Sequence, residues 1–326
     1  MFQLILTASD GERVDATQRV STMSLSGSIK QVSRQLTFEL VLPRDGSLPD
    51  IPCALGTQAQ LLVDGVQRFV GAVVKREKST DSSLVSVTAL DHGMYLTGND
   101  GWFVFRGQTS ESAVQAVCRS FGIPVGTLAQ TGVPVSRKYP GVALSKIIDS
   151  LYTLAANQNG RRYLARFSGE GALEVVEKPQ TAALELAPGK NLQTLRAAED
   201  ISSLCDSVAI YTQSGQLVRT VEDSELVSQY GRLQQIVTQR SGEDAGPTAQ
   251  GILQDNGPQQ TMTAECLGNA ELVSGNAVLL LDNVTGAQGL CWIDADTHTW
   301  KNGQYFCRLT LNFQSLMNET SAGSEV

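Results

Sequence analysis

The chain is 326 residues long, 41% hydrophobic and 18% charged, a globular composition that excludes a disordered chain and, at roughly 100–200 residues per domain, suggests two or three domains. The net charge of −8 sits late: residues 1–98 carry 9 Lys and Arg against 10 Asp and Glu, 99–192 carry 10 against 7, and 193–326 carry 6 against 16. A surface with that balance repels nucleic acid, so specific nucleic-acid binding is not expected.

The first hundred residues read as strands. Residues 2–6 are extended and apolar, and 23–29 and 35–40 alternate apolar with polar residues. Residues 60–71 form a hairpin pattern turning at Asp64-Gly65, and 84–89 give a further strand. Short strands with turn signals between them predict a closed or nearly closed antiparallel barrel, which hides its own edges.

The middle changes character. Capping residues Thr109 and Ser110 precede the stripe Ala113, Val114, Val117, Cys118 and Phe121, and Gly122 and Pro124 stop it, which predicts a helix. Leu144, Ile147, Ile148, Leu151 and Ala155 make one face of a second helix over 144–156. Residues 162–167 and 172–176 flank Ser168-Gly169-Glu170-Gly171 as a hairpin.

The last third returns to strands. Residues 206–211 and 217–221 flank the turn Ser214-Gly215, 223–233 and 248–253 look helical, and 260–267, 277–281, 289–294 and 305–313 are strands, with Asn302-Gly303 turning before the last. The expected fold class is therefore mainly β with an α+β insert. Two antiparallel β-barrel domains, 1–98 and 193–317, are separated by a small α+β module at 99–192, and 318–326 is a disordered tail.

Residues 1–12 have no basic start and only a short apolar run, so no signal peptide is expected. No stretch reaches the roughly 20 apolar residues of a membrane span. The sequons at Asn283 and Asn318 then have no glycosylating compartment to meet. Cys53, Cys118, Cys205, Cys266, Cys291 and Cys307 form no C-x-x-C pair and read as buried thiols in a reducing compartment.

Catalytic signatures are missing. There is no P-loop, no dinucleotide fingerprint, no nucleophile elbow and no H-E-x-x-H pair, and only two histidines. His92 follows Asp91, but neighbours on a strand point to opposite faces, so a strand-end hydrogen-bonding role is favoured over a base. Asp294, Asp296 and His298 share one face if extended, a donor set able to hold a divalent metal; their nearness to a turn favours solvated charge instead. Lys138, Arg161, Arg162 and Arg166 give the middle a modest basic patch, better suited to a subunit contact than to phosphate. Trp102, Trp292 and Trp300 are core or interface anchors. The residues identify no catalytic, cofactor-binding or metal site, and no cofactor. A dispersed Ser-His-Asp triad stays open, since triads are defined by geometry and not by order.

Several segments in order resemble one family: Asp91-His92-Gly93-Met94-Tyr95-Leu96 with Asn99; Phe121-Gly122-Ile123-Pro124-Val125-Gly126 with Thr131-Gly132-Val133; Asn159-Gly160-Arg161-Arg162-Tyr163 with Gly171-Ala172-Leu173; Tyr230-Gly231-Arg232-Leu233-Gln234; and Asp294-Ala295-Asp296-Thr297-His298-Thr299-Trp300 with Asn302-Gly303. The family is the XkdQ/YqbQ-like tail proteins of PBSX-type prophages and contractile phages, akin to late control protein D hubs. The resemblance runs from about Leu25 to Phe313 and departs at Cys205-Asp206, where an Asn is expected before the Val208 strand. It implies a non-enzymatic baseplate hub, a homotrimer whose two barrels per copy make a pseudo-sixfold ring between a hexameric tail tube and a trimeric spike. The implied partners are copies of itself, the central spike protein, a tail tube or tube-initiator protein, a tape-measure protein and a LysM-type tail protein. The implied location is the bacterial cytoplasm and then a virion or phage-tail-like particle. An acidic last barrel would let anionic cargo slide without sticking. A cell-wall hydrolase using His298, or a glycan-binding module, are the other two readings.

Overall fold

Alternation becomes strands wherever one face can be buried. The computed structural model describes residues 1–42, 49–239 and 244–326. In chain order, the first third holds β1 (Phe2–Thr7), β2 (Arg13–Asp15), β3 (Val20–Ser28), β4 (Gln31–Val41), β5 (Gln58–Val63), β6 (Val66–Lys78) and β7 (Leu84–Asp91). The β5–β6 turn has positive φ at both Asp64 and Gly65, as its sequence predicts. Leu4 and Leu6 of β1 pack in one buried cluster with Met23 and Leu25 of β3, although these strands stand far apart in the pairing order. The sheet therefore curls around its core.

The middle holds α1 (Gly93–Thr97), β8 (Asp100–Thr109), α2 (Ser110–Ser120), β9 (Val125–Leu128), β10 (Pro134–Ala143), α3 (Leu144–Asn159), β11 (Tyr163–Phe167) and β12 (Leu173–Glu177). Thr109 caps α2 by accepting from the Ser112 N–H, and Gly160, at φ 73°, ends α3. Both helices pack into one core with Phe105, Tyr139 and Phe167.

Then follow β13 (Leu184–Leu186), β14 (Leu192–Asp200), β15 (Ser207–Thr212), β16 (Leu217–Glu222), α4 (Ser224–Tyr230), β17 (Gln234–Gln239), α5 (Gly246–Asp255), β18 (Gln259–Leu267), β19 (Ala277–Leu281), β20 (Gln288–Lys301), β21 (Gln304–Asn312) and β22 (Ser324–Glu325). The expected helix at 223–233 is shorter. Asp223 caps α4, Gly231 ends it, and Gln234 already begins a strand.

The mainly β character with an α+β insert is what the structure shows. A single 13-stranded sheet runs in the order β14-β18-β21-β20-β3-β4-β7-β6-β5-β1-β2, with β19 also on β20 and β13 on β19. The reason is β20. At 14 residues it is long enough to pair β19 with one half and β3 with the other, from Ala295 opposite Ser28 to Lys301 opposite Thr22. First and last thirds thereby share one sheet. Two compact units result, Met1–Leu195 with Thr263–Val326, and Arg196–Met262. In the second unit, β15 lies between β16 and β17, and α5 packs on it through Val208, Ile210 and Ala249.

Residues 318–326, expected as a disordered tail, lie instead along the middle module. Asn318 donates to Asp149, the Thr320 N–H donates to Thr153, Arg137 donates to the Ala322 carbonyl, and β22 pairs with β10.

Candidate functional site

The densest buried chemistry lies where β20 meets β3 and β21. The two-residue turn at Asn302-Gly303 sets the β20–β21 register, so that His298 faces Cys307 and Trp300 faces Tyr305. Asp296 and His298, two residues apart, point to the same buried side and are each 2% exposed. Arg34 reaches them from β4 by crossing the backbone of β3 at Gly27, which faces Asp296 in the register. Its Nη1 donates to Asp296 Oδ1 at 3.1 Å, and Nη2 makes a close contact with Oδ2. The Ser274 N–H donates to Oδ1 at 2.6 Å.

Burial opposes the charge on Asp296. Arg34 and His298 outweigh it and hold the carboxyl well below the usual carboxylate range. Burial likewise opposes a charged His298, but Asp296 and Cys307 outweigh it and raise the ring to about 9. Its Nδ1 lies 2.8 Å from the Tyr305 hydroxyl and 3.2 Å from Cys307 Sγ. Its Nε2 is 3.2 Å from Asp296 Oδ2, within ion-pair reach but without hydrogen-bond alignment. Cys307 is lowered by its contact with Cys266 and then by the His298 ring.

Carboxylate, imidazole and thiol in a row have the parts of an activated nucleophile. Here, however, Cys307 is 1% exposed and sealed among β18, β20 and β21. A cleft of about 200 Å³ passes beside this cluster, walled by Arg68, Arg166, Glu174, Glu271, Trp300 and Tyr305. Cys307 does not line it. Arg68 donates to Glu271 at 2.7 Å, and Arg166 lies 3.9 Å from Glu174. The cleft is thus a mixed-charge seam that Arg34 and His298 of the cluster also line, and the cluster ties β3, β4, β20 and β21 together.

Asp294 does not join Asp296 and His298. A register shift between Ile293 and Ala295 takes it off their row, and it sits near Lys178 and Asn312. Among the described residues no three His, Cys, Asp or Glu side chains gather as a metal site. His92 and Asp91 part as well. The His92 Nδ1 lies 2.8 Å from the Gly171 carbonyl, while Asp91 accepts from Ser33 Oγ and from the Arg34 and Gly93 N–H groups.

The basic residues of the middle are divided, Arg161 facing Glu177 and Arg162 facing Glu319. Trp292 and Trp300 are core residues, whereas Trp102 is 75% exposed. At the sequence departure, Asp206 is fully buried and its Oδ1 accepts from the Leu233 N–H, pinning the entry to β17. Sequence reasoning missed Cys307, although counting back from Asn302-Gly303 pairs it with His298.

No helix among the described residues is long and apolar enough to cross a membrane. The broad curled sheet with an α+β module is a fold shared with solved phage tail proteins. A 43 kDa tail protein of prophage MuSo2 from Shewanella oneidensis matches with a TM-score of 0.71 at 16% identity, over 95% of this chain and 98% of that one. An E. coli type VI secretion component, described as structurally similar to the phage T4 tail proteins gp27 and gp5, matches with a TM-score of 0.53 at 11% identity, over 94% of this chain and 76% of that one. The YqbQ-like family model matches residues 23–312, and the chain belongs to that family. Its relatives include YqbQ of Bacillus subtilis, 23% identical over 87% of this chain and 89% of that protein, and the PBSX phage-like element protein XkdQ of the same organism, 22% identical over 91% and 94%.

Proposed function

We propose that this chain is a structural, non-enzymatic hub of a contractile tail baseplate, in a phage or a phage-like injection device. Three copies would form a ring of pseudo-sixfold symmetry between a hexameric tail tube and a trimeric spike. The observation that carries this reading is the match to a prophage tail protein over nearly the whole of both chains. Membership of a family that includes a PBSX phage-like element protein supports it, as does the likeness to a secretion component compared with T4 tail proteins. The sealed position of Cys307 favours assembly over hydrolysis, because a nucleophile must touch its substrate. Tail tube, tape-measure and LysM-type proteins are the further partners of this reading.

The test is the mass and image of the purified chain, alone and with its spike. Three copies in a closed ring with six lobes are expected. A persistent monomer that cleaves cell-wall glycan or peptide, and loses that activity with His298→Ala, would replace the hub with a tail-associated hydrolase. Retention on immobilised glycan without ring formation would replace it with a glycan-binding module.

A further inference from the structure

The cleft beside the polar cluster has walls whose donors the fold leaves underused. At about 200 Å³ it far exceeds the ~10–15 Å³ that one water needs. All of its walls belong to the larger compact unit. Four cationic side chains line it, Arg34, Arg68, Arg166 and His298, against two carboxylates, Glu174 and Glu271. Asp296 and Cys307, which face Arg34 and His298, lie behind the wall and do not line it. The lining is therefore net positive. His298, raised to about 9, keeps its charge at neutral pH.

Arg34 spends both terminal nitrogens on Asp296 and adds only its field. Arg68 and Arg166, at 31% and 29% exposure, hold donors in reserve. Arg68 donates to Glu271 through Nη2, while its Nε is buried with no hydrogen-bond partner among the described residues. Arg166 donates to Asn276 Oδ1 at 3.4 Å and stands 3.9 Å from Glu174, a long hydrogen bond and a loose ion pair. A buried N–H without an acceptor costs free energy until something accepts from it. The flat guanidinium fork matches a planar carboxylate. Phe167, Val273 and Trp300 make the rest of the wall apolar.

We propose that this cleft binds a small carboxylate carried on an apolar, ring-sized body. The carboxylate sits between Arg68 and Arg166 and takes the N–H groups left over. The apolar body lies along Val273 and Trp300, where its burial adds to the binding. A bare inorganic anion has no surface to place there. Arg68 belongs to β6, Arg166 to β11 and Trp300 to β20, so the ligand ties the middle module to the sheet. The site does not depend on copies of the chain forming a ring.

Calorimetric titration of the full chain with benzoate tests it. Saturable binding with a Kd of roughly 1 mM or tighter is expected, and the melting temperature should rise with benzoate. Arg68→Gln and Arg166→Gln should each weaken binding about tenfold or more, and inorganic phosphate should bind the parent about tenfold more weakly than benzoate. Val273→Phe fills the cleft from its apolar side and leaves every charge in place, so it should abolish binding even if an arginine variant fails to fold. No saturable binding of benzoate, binding unchanged in the folded variants, or phosphate held as tightly as benzoate overturns the assignment.

Discussion

Arg34 passes over Gly27 so closely that a Cβ on Gly27 would sit 2.5 Å from its Nη1. The glycine is the gap through which one strand's cation reaches the next-but-one strand's carboxylate. Gly27→Ala should push the guanidinium off Asp296 and cost about 1–3 kcal/mol. Arg34→Met should cost about 3–5 kcal/mol, because it strands a buried carboxylate. Urea unfolding of both variants checks the order; equal stability of Arg34→Met and the parent would show that the pair contributes nothing.

His298 gives a prediction for pH. Its ring is raised to about 9 in the fold, from an ordinary value of 6.5. The stability it adds is present below pH 6.5 and is lost as pH rises through about 9. Asp296 acts in the opposite sense: its depressed carboxyl adds stability above the ordinary carboxylate range that is lost as pH falls. Urea midpoints should therefore decline toward alkaline pH, and His298→Gln should flatten that arm. An unchanged alkaline slope in the variant would remove the linkage.

Asp149 predicts a gain. Burial pushes its carboxyl up to about 7, while the hydrogen bond from Asn318 pulls the other way. Its raised folded value adds stability only while protonated, and that stability is lost as pH rises through 7. Asp149→Asn should match the parent near pH 4 and exceed it near pH 8, by thermal melting. A variant weaker than the parent at pH 8 would show that the charged form is the favoured one.

The tail predicts a loss. Residues 318–326 contact α3 and β10 at several points. Ending the chain at Met317 should lower the melting temperature by roughly 2–4 °C for each kcal/mol lost, with Tyr139 and Ser150 uncovered. An unchanged melting temperature would mean that the tail is detached in solution.

Local order was legible where turn chemistry or periodicity is strong. Asp64-Gly65 and Asn302-Gly303 have the positive φ values their residues favour, and Thr109 and Gly160 bound helices as caps do. β8 and β10 escaped because Pro134, Gly141 and exposed Trp102 and Lys138 blur their alternation. β17 escaped because its glutamines look like loop while Asp206, distant in sequence, fixes its start. The candidate site was half visible. Asp296 and His298 share a face as spacing predicts, but a register shift displaces Asp294, and Arg34 comes from more than 250 residues away, at a separation of 262.

The shared strand β20 also sets an order of events in synthesis. Thr22 donates to the Trp300 carbonyl across 278 residues, so the edge of β3 waits open until nearly everything else has left the ribosome. Such distant closure is slow and leaves an adhesive border on the nascent chain. Fragments ending before β20 should therefore clump, and good yields should depend on chaperones that shield that border during translation.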